Sequence, residues 1–539
     1  MTLEGQALEY RRLRAPAADR SILIDPPLDQ VGELLAANRQ LRAGYGYELH
    51  GRSLRDLGDD ARRELLQAAR DYTSLYREVP SYDASGPILL AGHQPELFHP
   101  GVWCKNFALG ALARRHAGVA VNLVVDSDTI KRASLRVPGG SVREPKATDV
   151  RFDQGGPEIP YEERLVLDRS TFESFGRRVA SQLQPLVPNP LIRAFWPRVL
   201  ARAEKTSNLG ACFAQARHEL EGAWGLETLE APQSRVCALP SFLWFMAHLL
   251  CELPRLHAIY NRAVGEYRQV NHIRSQNHPV PDLASDDQWL EAPFWVWRVG
   301  SPRRKRLFAR RHGEALELTD RDGWQIDLPV CAKDLGRAVE SLARLPATGV
   351  KIRSRALITT LFARLVLGDL FVHGIGGAKY DELTDLMVGR FFGLAPPRYL
   401  VLSGTLLLPI ERDSVSEEQV RAVRQRLRQL IYHPEKHVDW SDVPPARRAD
   451  IEALIAEKQK WIATPQTRDN AKRRCQAIRR VNEALQPWLN PQRQRLEQQR
   501  QRLADTLRAE QLLASREYAF CLYPEETLRS FLASVAGNA

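Results

Sequence analysis

The stretch Gly92-His93-Gln94-Pro95-Glu96-Leu97-Phe98-His99-Pro100-Gly101 decides the fold, because of what flanks it. Ahead of it, Ile88-Leu89-Leu90-Ala91 is an apolar run of the length of a buried strand. Behind it, Trp103, Phe107 and Ala111 recur every four residues, as on one face of a helix. A second strand pattern, Val119 to Val125, then runs into Asp126-Ser127-Asp128. Strand, turn, helix and strand make a βαβ unit whose polar residues gather at one end. In an open parallel sheet that end is where ligands bind.

The pattern resumes much later. Leu357, Leu361 and Leu365 mark a helix, and Leu370-Phe371-Val372 a strand. His373 then precedes Gly374-Ile375-Gly376-Gly377, and a helix follows with Leu383, Met387 and Phe391 on one face. Tyr399 to Leu402 predicts a further strand. The fold class expected is α/β: a Rossmann-like doubly wound parallel sheet formed by residues 81–145 and 346–410. Residues 1–80 read as an N-terminal helical segment, with Leu65, Ala69, Tyr72 and Tyr76 on one face. Residues 146–345 read as a large helical and β-meander insertion. Its strands are expected near Phe294–Trp297, Arg306–Ala309, Ala315–Leu318 and Trp324–Asp327, with Arg303-Arg304-Lys305-Arg306 as a solvated hairpin tip. Residues 411–539 read as a C-terminal α-helical coiled-coil domain of two long helices, with Pro487 and Pro491 breaking the second.

At 539 residues the chain calls for two or three domains. No apolar window is long enough to span a bilayer; Phe242 to Cys251, bounded by Pro240 and Pro254, reads as a buried helix. Residues 1–30 are polar and carry Arg and Asp throughout, so no secretory leader is expected. Cys104, Cys212, Cys237, Cys251, Cys331, Cys475 and Cys521 are an odd set without a CxxC pair, which fits a reducing cytoplasm better than a disulfide framework. The net charge is +11. Residues 417–539 hold 22 Lys+Arg against 16 Asp+Glu, so +6 of it lies toward the C-terminus. Helices rich in Arg and Gln are more often solvated faces than phosphate trackers, and nucleic acid is not the expected partner.

Each polar cluster supports a chemistry and a plainer role. The helix start after His99 suits an anion, with His93, Gln94, His99 and Lys105 around it; equally, the two histidines cap strand and helix. Asp126 and Asp128, two apart, suit an amine or a metal, and Asp-Ser-Asp is also good turn chemistry. Gly376 and Gly377 permit close approach to a ligand but lack the spacing of a dinucleotide fingerprint. Lys379 and Asp381 follow on the next helix, where an acid also complements the dipole. Arg353 and Arg355 alternate in an extended stretch, placed to clamp a substrate carboxylate.

The loop GHQPELFHPG, the strand end VAVNLVVDSD and FVHGIGGAKYDELTDLMVGRFFGL together resemble the cysteine-adding enzymes of bacillithiol biosynthesis. The family loop reads Gly-Gln-Gln-x-Gly-Leu-Phe-Thr-Gly, so Gln94, Leu97 and Phe98 match while His93 and His99 are substitutions. Asp126 and Asp128 match an Asp-His-Asp motif in which Ser127 replaces the His. Gly376 and Gly377 match a Gly-Gly-Pro-Gly-Glu loop that here continues Ala378-Lys379-Tyr380. The resemblance implies a Rossmann-like core with a coiled-coil domain, and a ligase-like enzyme joining an amino acid, cysteine in the family, to an amine such as an aminosugar conjugate. His93, His99, Asp126 and Asp128 would be its catalytic groups, and ATP or another nucleotide with Mg²⁺ the cofactor class to test. The partners expected are a small-molecule substrate and a second copy through the coiled coil, with no membrane. The alternatives are a nucleotidyl transferase on the same fold, or a non-enzymatic helical interaction protein.

Overall fold

Ile88-Leu89-Leu90-Ala91 has no polar face, and its four side chains are buried on both sides of a sheet, as a parallel strand requires. The computed structural model describes residues 8, 13–286, 288–330, 334–411 and 415–538, so Cys331 lies outside the described residues. Six strands form the main sheet: β1 (Ser21–Asp25), β2 (Ile88–His93), β3 (Val119–Val124), β4 (Leu229–Pro232), β5 (Leu370–His373) and β6 (Leu400–Thr405). Their order is β1-β6-β5-β2-β3-β4. All neighbours are parallel except β1, which runs antiparallel to β6. The molecule is thus a mixed α/β protein with one antiparallel edge.

The chain fills the sheet outward from β2 through β3 to β4, then returns to lay β5 and β6 on the other side of β2. The winding direction therefore reverses between β2 and β5, where Leu90 pairs with Phe371 and Ala91 with Val372. Crossover helices leaving in opposite directions open a crevice at the carboxyl ends of these two strands.

Four expectations need correction. The N-terminal segment is not helical alone: beside helices Val31–Ala43 and Leu54–Thr73 it supplies β1. The middle region is not a simple insertion, since β4 comes from it. Leu229-Glu230-Ala231-Pro232 is too short to carry a periodic signal. The same region holds the helix Pro240–Cys251 and four strands of a five-stranded antiparallel sheet, the fifth coming from residues 350–354. In spatial order its strands are Gln325–Pro329, Ala315–Thr319, Ser301–His312, Leu290–Arg298 and Val350–Ser354. Arg303 to Arg306 lie inside the second-drawn strand of this meander, Ser301–His312, rather than at a hairpin tip. Among the described residues no helix is long and apolar enough to cross a membrane.

Two compact units divide the chain: residues 1–137, 148–409 and 516–539 form one, and 138–147 with 410–515 form the other. In the first, the chain returns at Arg516 to dock the helix Glu525–Asn538 on the helix Pro100–Arg115. Among the described residues the second holds four α-helices instead of the expected two. Glu417–Tyr432 packs on Asn490–Leu513, and Pro445–Ala463 on Ala471–Leu485. Pro487 sits in the 3₁₀ turn Gln486–Leu489 and Pro491 in the first turn of the last helix, where a missing N–H costs nothing. Leu430, Val443, Ile451, Val481, Leu485 and Leu489 form its small core.

Candidate functional site

A cleft of about 900 Å³ opens at the crevice between β2 and β5. Its floor is Gly92 and His93 from β2 and His373 from β5. The first turns of two helices, Pro100–Arg115 and Ile375–Met387, line it, and neither first turn contains an acid. The helix dipoles favour an anion there, although in the first helix Pro100 has no N–H and those of Gly101, Val102 and Trp103 already bond to His99. The side-chain charge agrees. Arg14, Lys105, Arg304, Arg355, Lys379 and Arg516 face Asp128 and Glu517 among the described lining residues.

Burial lowers the pKa of all three imidazoles, and their tautomers follow from their bonds. His93 Nδ1 lies 3.0 Å from the Gln94 carbonyl, so it must donate, leaving the lone pair on Nε2. Burial, then Lys105, lowers its pKa to about 3. His99 caps the helix: its Nδ1 accepts the Gly101 N–H at 3.1 Å, so the proton is on Nε2, 3.7 Å from Glu517. Burial, then Arg516, brings its pKa to about 4. His373 Nε2 donates to Asp381 Oδ2 at 2.8 Å, which leaves Nδ1 as its lone-pair nitrogen. A Cβ at Gly377 would stand 2.7 Å from that nitrogen, so glycine keeps room for it.

Asp381 does not meet substrate. It is fully buried and also receives Arg364 Nη1 and Thr384 Oγ1, each at 2.6 Å. Burial alone would raise its pKa, but Arg364 and His373 hold it well below the carboxylate range. It therefore acts as the fixed anion that orients His373. In His373 itself burial outweighs Asp381 and keeps the imidazole pKa low.

The two aspartates after β3 part company, because the strand ends at Val124 and the alternation stops with it. Asp128 lines the cleft, accepts Gln94 Nε2 at 2.9 Å and pairs with Arg304 at 3.1 Å. Asp126 instead holds the Ser234 N–H at 2.8 Å and the Ser234 hydroxyl, capping the turn Gln233–Val236. Burial, then Glu162, pushes its pKa well up. The pair does not converge as a shared metal or amine site. Arg353 is likewise spent, forming two 2.9 Å bonds to Glu162. Arg355 does line the cleft: it lies 2.7 Å from Glu291 and 4.1 Å from the Trp295 ring, yet none of its three nitrogens is hydrogen-bonded in good geometry.

Lys105 Nζ reaches the Gly92 carbonyl at 3.1 Å, and burial lowers its pKa to about 8. Gly376, Gly377 and Lys379 complete the rim. Trp295, Arg304 and Arg516 are additions that sequence reading missed. Arg304 carried a signal, since it alternates with outward residues in a long strand; Arg516 carried none. Anion affinity should fall as pH rises through about 8, because the lysine then loses its charge. A calorimetric titration at pH 7 and pH 9 checks this, and equal affinities would exclude Lys105 from the site.

Another buried cluster, His218, Glu221 and Glu230, has metal-ligand composition. Its atoms are already occupied by Arg217, Tyr76, Asn106, Asn122 and Trp103, and the guanidinium supplies the cation. Neither the protein-family models nor the curated proteins compared with the chain gave a match.

Proposed function

We propose that the chain is an enzyme that binds a small anionic substrate in the cleft between β2 and β5 and joins an amino acid to an amine. On this reading it is a divergent, cytoplasmic relative of the bacillithiol cysteine-adding enzymes, with a Rossmann-like core and a coiled-coil arm. The observation that carries it is the convergence of the Gly92–Gly101 and Gly374–Lys379 loops, two of the three stretches in the resemblance, on one cationic cleft. Amide formation requires an ammonium to lose its proton before nitrogen attacks the carbon of an activated carboxyl group, an acyl phosphate or acyl adenylate that a nucleotide would supply. Phosphate or the nucleoside monophosphate would leave as the C–N bond forms. His373 Nδ1, neutral and fixed through Asp381, is the base for that proton. The carboxyl oxygens carry the developing negative charge toward the two helix N-termini and Lys105. Arg355 and Lys379 hold a substrate carboxylate at the rim. The four-helix unit exposes Ile431, Tyr432, Trp440 and Ile462, which supports a homodimer through this arm.

Melting curves against cysteine, malate, an aminosugar–malate conjugate and ATP with or without Mg²⁺ test the reading. A ligand at a hundred times its Kd stabilises by about 2.7 kcal/mol. The expected result is a shift with the conjugate that disappears in Lys379→Gln. A shift with ATP alone would replace this reading by nucleotidyl transfer.

A further inference from the structure

A second cavity, of about 670 Å³, lies at the opposite ends of the same strands. Its centre is Asp369, the residue before β5. Asp369 Oδ2 accepts the Ile88 N–H at 2.8 Å, so one carboxylate anchors the start of both β5 and β2. Arg62 Nη2 lies 2.8 Å from Oδ2, and Arg42 Nη1 lies 3.3 Å from Oδ1. Arg42 also donates to the carbonyls of Val366 at 2.7 Å and Gly368 at 3.0 Å. Carbonyls satisfy hydrogen bonds but carry no net charge. Two guanidiniums, 14% and 18% exposed, thus share a single carboxylate as their direct ion-pair partner, with Asp59 as the further anion acting on Arg42.

The rest of the lining adds to the excess. Arg39 and Arg55 face the cavity together with Arg63, which is paired with Asp60, and Asp59 is the only other lining carboxylate among the described residues. Burial, and after it the neighbouring Arg62, lowers the Arg42 pKa to about 10. The volume is that of a small-ligand pocket, and forked guanidiniums match phosphate oxygens two at a time.

We propose that this cavity is a second ligand site, which takes a compact, multiply charged anion of the polyphosphate class between Arg39, Arg55 and the Arg42–Arg62 pair. The site is independent of the cleft and of the chemistry assigned to it. The six residues of β2 separate the two by about 20 Å.

Calorimetric titration of the full chain with pyrophosphate tests the proposal, using Lys379→Gln to weaken the cleft and the double variant Arg39→Gln/Arg55→Gln to weaken the cavity. Both arginines are exposed, so the double variant should melt as the native chain does without ligand. Pyrophosphate should still bind Lys379→Gln, and the double variant should lose at least tenfold in affinity for one site. Binding abolished by Lys379→Gln and untouched by the double variant would overturn the proposal, as would no binding at millimolar pyrophosphate. A third variant, Arg62→Lys, keeps the charge but loses the fork, and an affinity unchanged in it and in the double variant would also overturn it.

Discussion

Asp381→Ala is expected to destabilise the protein by about 3–5 kcal/mol, the scale for removing one partner of a buried ion pair. The carboxylate is fully buried, and Arg364, His373 and Thr384 all donate to it. Alanine leaves Arg364, only 2% exposed, with Asp385 as its one paired carboxylate and the Pro397 carbonyl as a neutral acceptor. Urea denaturation should show a lower midpoint at an unchanged slope. The pH dependence has a definite sign. The folded pKa of Asp381 is depressed, so its stabilisation is present above the unfolded value and is lost as pH falls through the folded one. The gap between native and variant should therefore persist at pH 5 and narrow only below about pH 4. A loss below about 1 kcal/mol at neutral pH would mean that Arg364 repairs itself elsewhere. Asp381→Asn, which keeps the shape, should lose turnover out of proportion to stability, since the amide no longer fixes the proton on His373 Nε2.

Arg217→Ala should have an effect of similar size, with a deficit that already narrows between pH 8 and pH 5. Arg217 bridges Glu221 at 2.5 Å and Glu230, carboxylates exposed by 1% and 0%. Without the guanidinium, two buried carboxylates share a site and must take up protons to remain there. Their folded pKa values would then stand above the unfolded ones. Stability is in that case greatest below the unfolded value, and is lost as pH rises through the folded one. The variant should be short by about 3–5 kcal/mol at pH 8 and by clearly less at pH 5. Denaturation at the two pH values decides it; a larger deficit at pH 5 would contradict the account.

The readable part of the fold was the part whose signal is local. Ile88 to Val125 shows a strand, a four-residue spacing and a strand in sequence, and β2, the helix Pro100–Arg115 and β3 lie there. Gly376 and Gly377 announced a close approach, and one of them makes room for His373. What failed depended on partners far along the chain. Arg353 looked free because Glu162, which takes it, is 191 residues away. Asp126 and Asp128 looked paired because the strand alternation was carried on to Asp128, whereas the strand ends at Val124. Asp381 looked like a first-turn acid, but the helix begins at Ile375, which turns Asp381 inward to His373. The strands β1 and β4, five and four residues long, were too short to show a period.

The compact unit that carries the cleft is discontinuous, and this sets a schedule for its birth. Residues 516–538 supply Phe520, whose N–H bonds the Phe98 carbonyl at 2.8 Å, and Arg516 on the cleft wall. Residues 410–515 are translated before them. At about 5–20 residues per second the ribosome spends roughly 5–20 s on that interval. For that time the loop of Gly92–Gly101 has been made but lacks the segment that closes over it. A nascent chain of this kind offers its apolar helix face to chaperones late in synthesis, and a stall before residue 516 leaves a product that cannot mature.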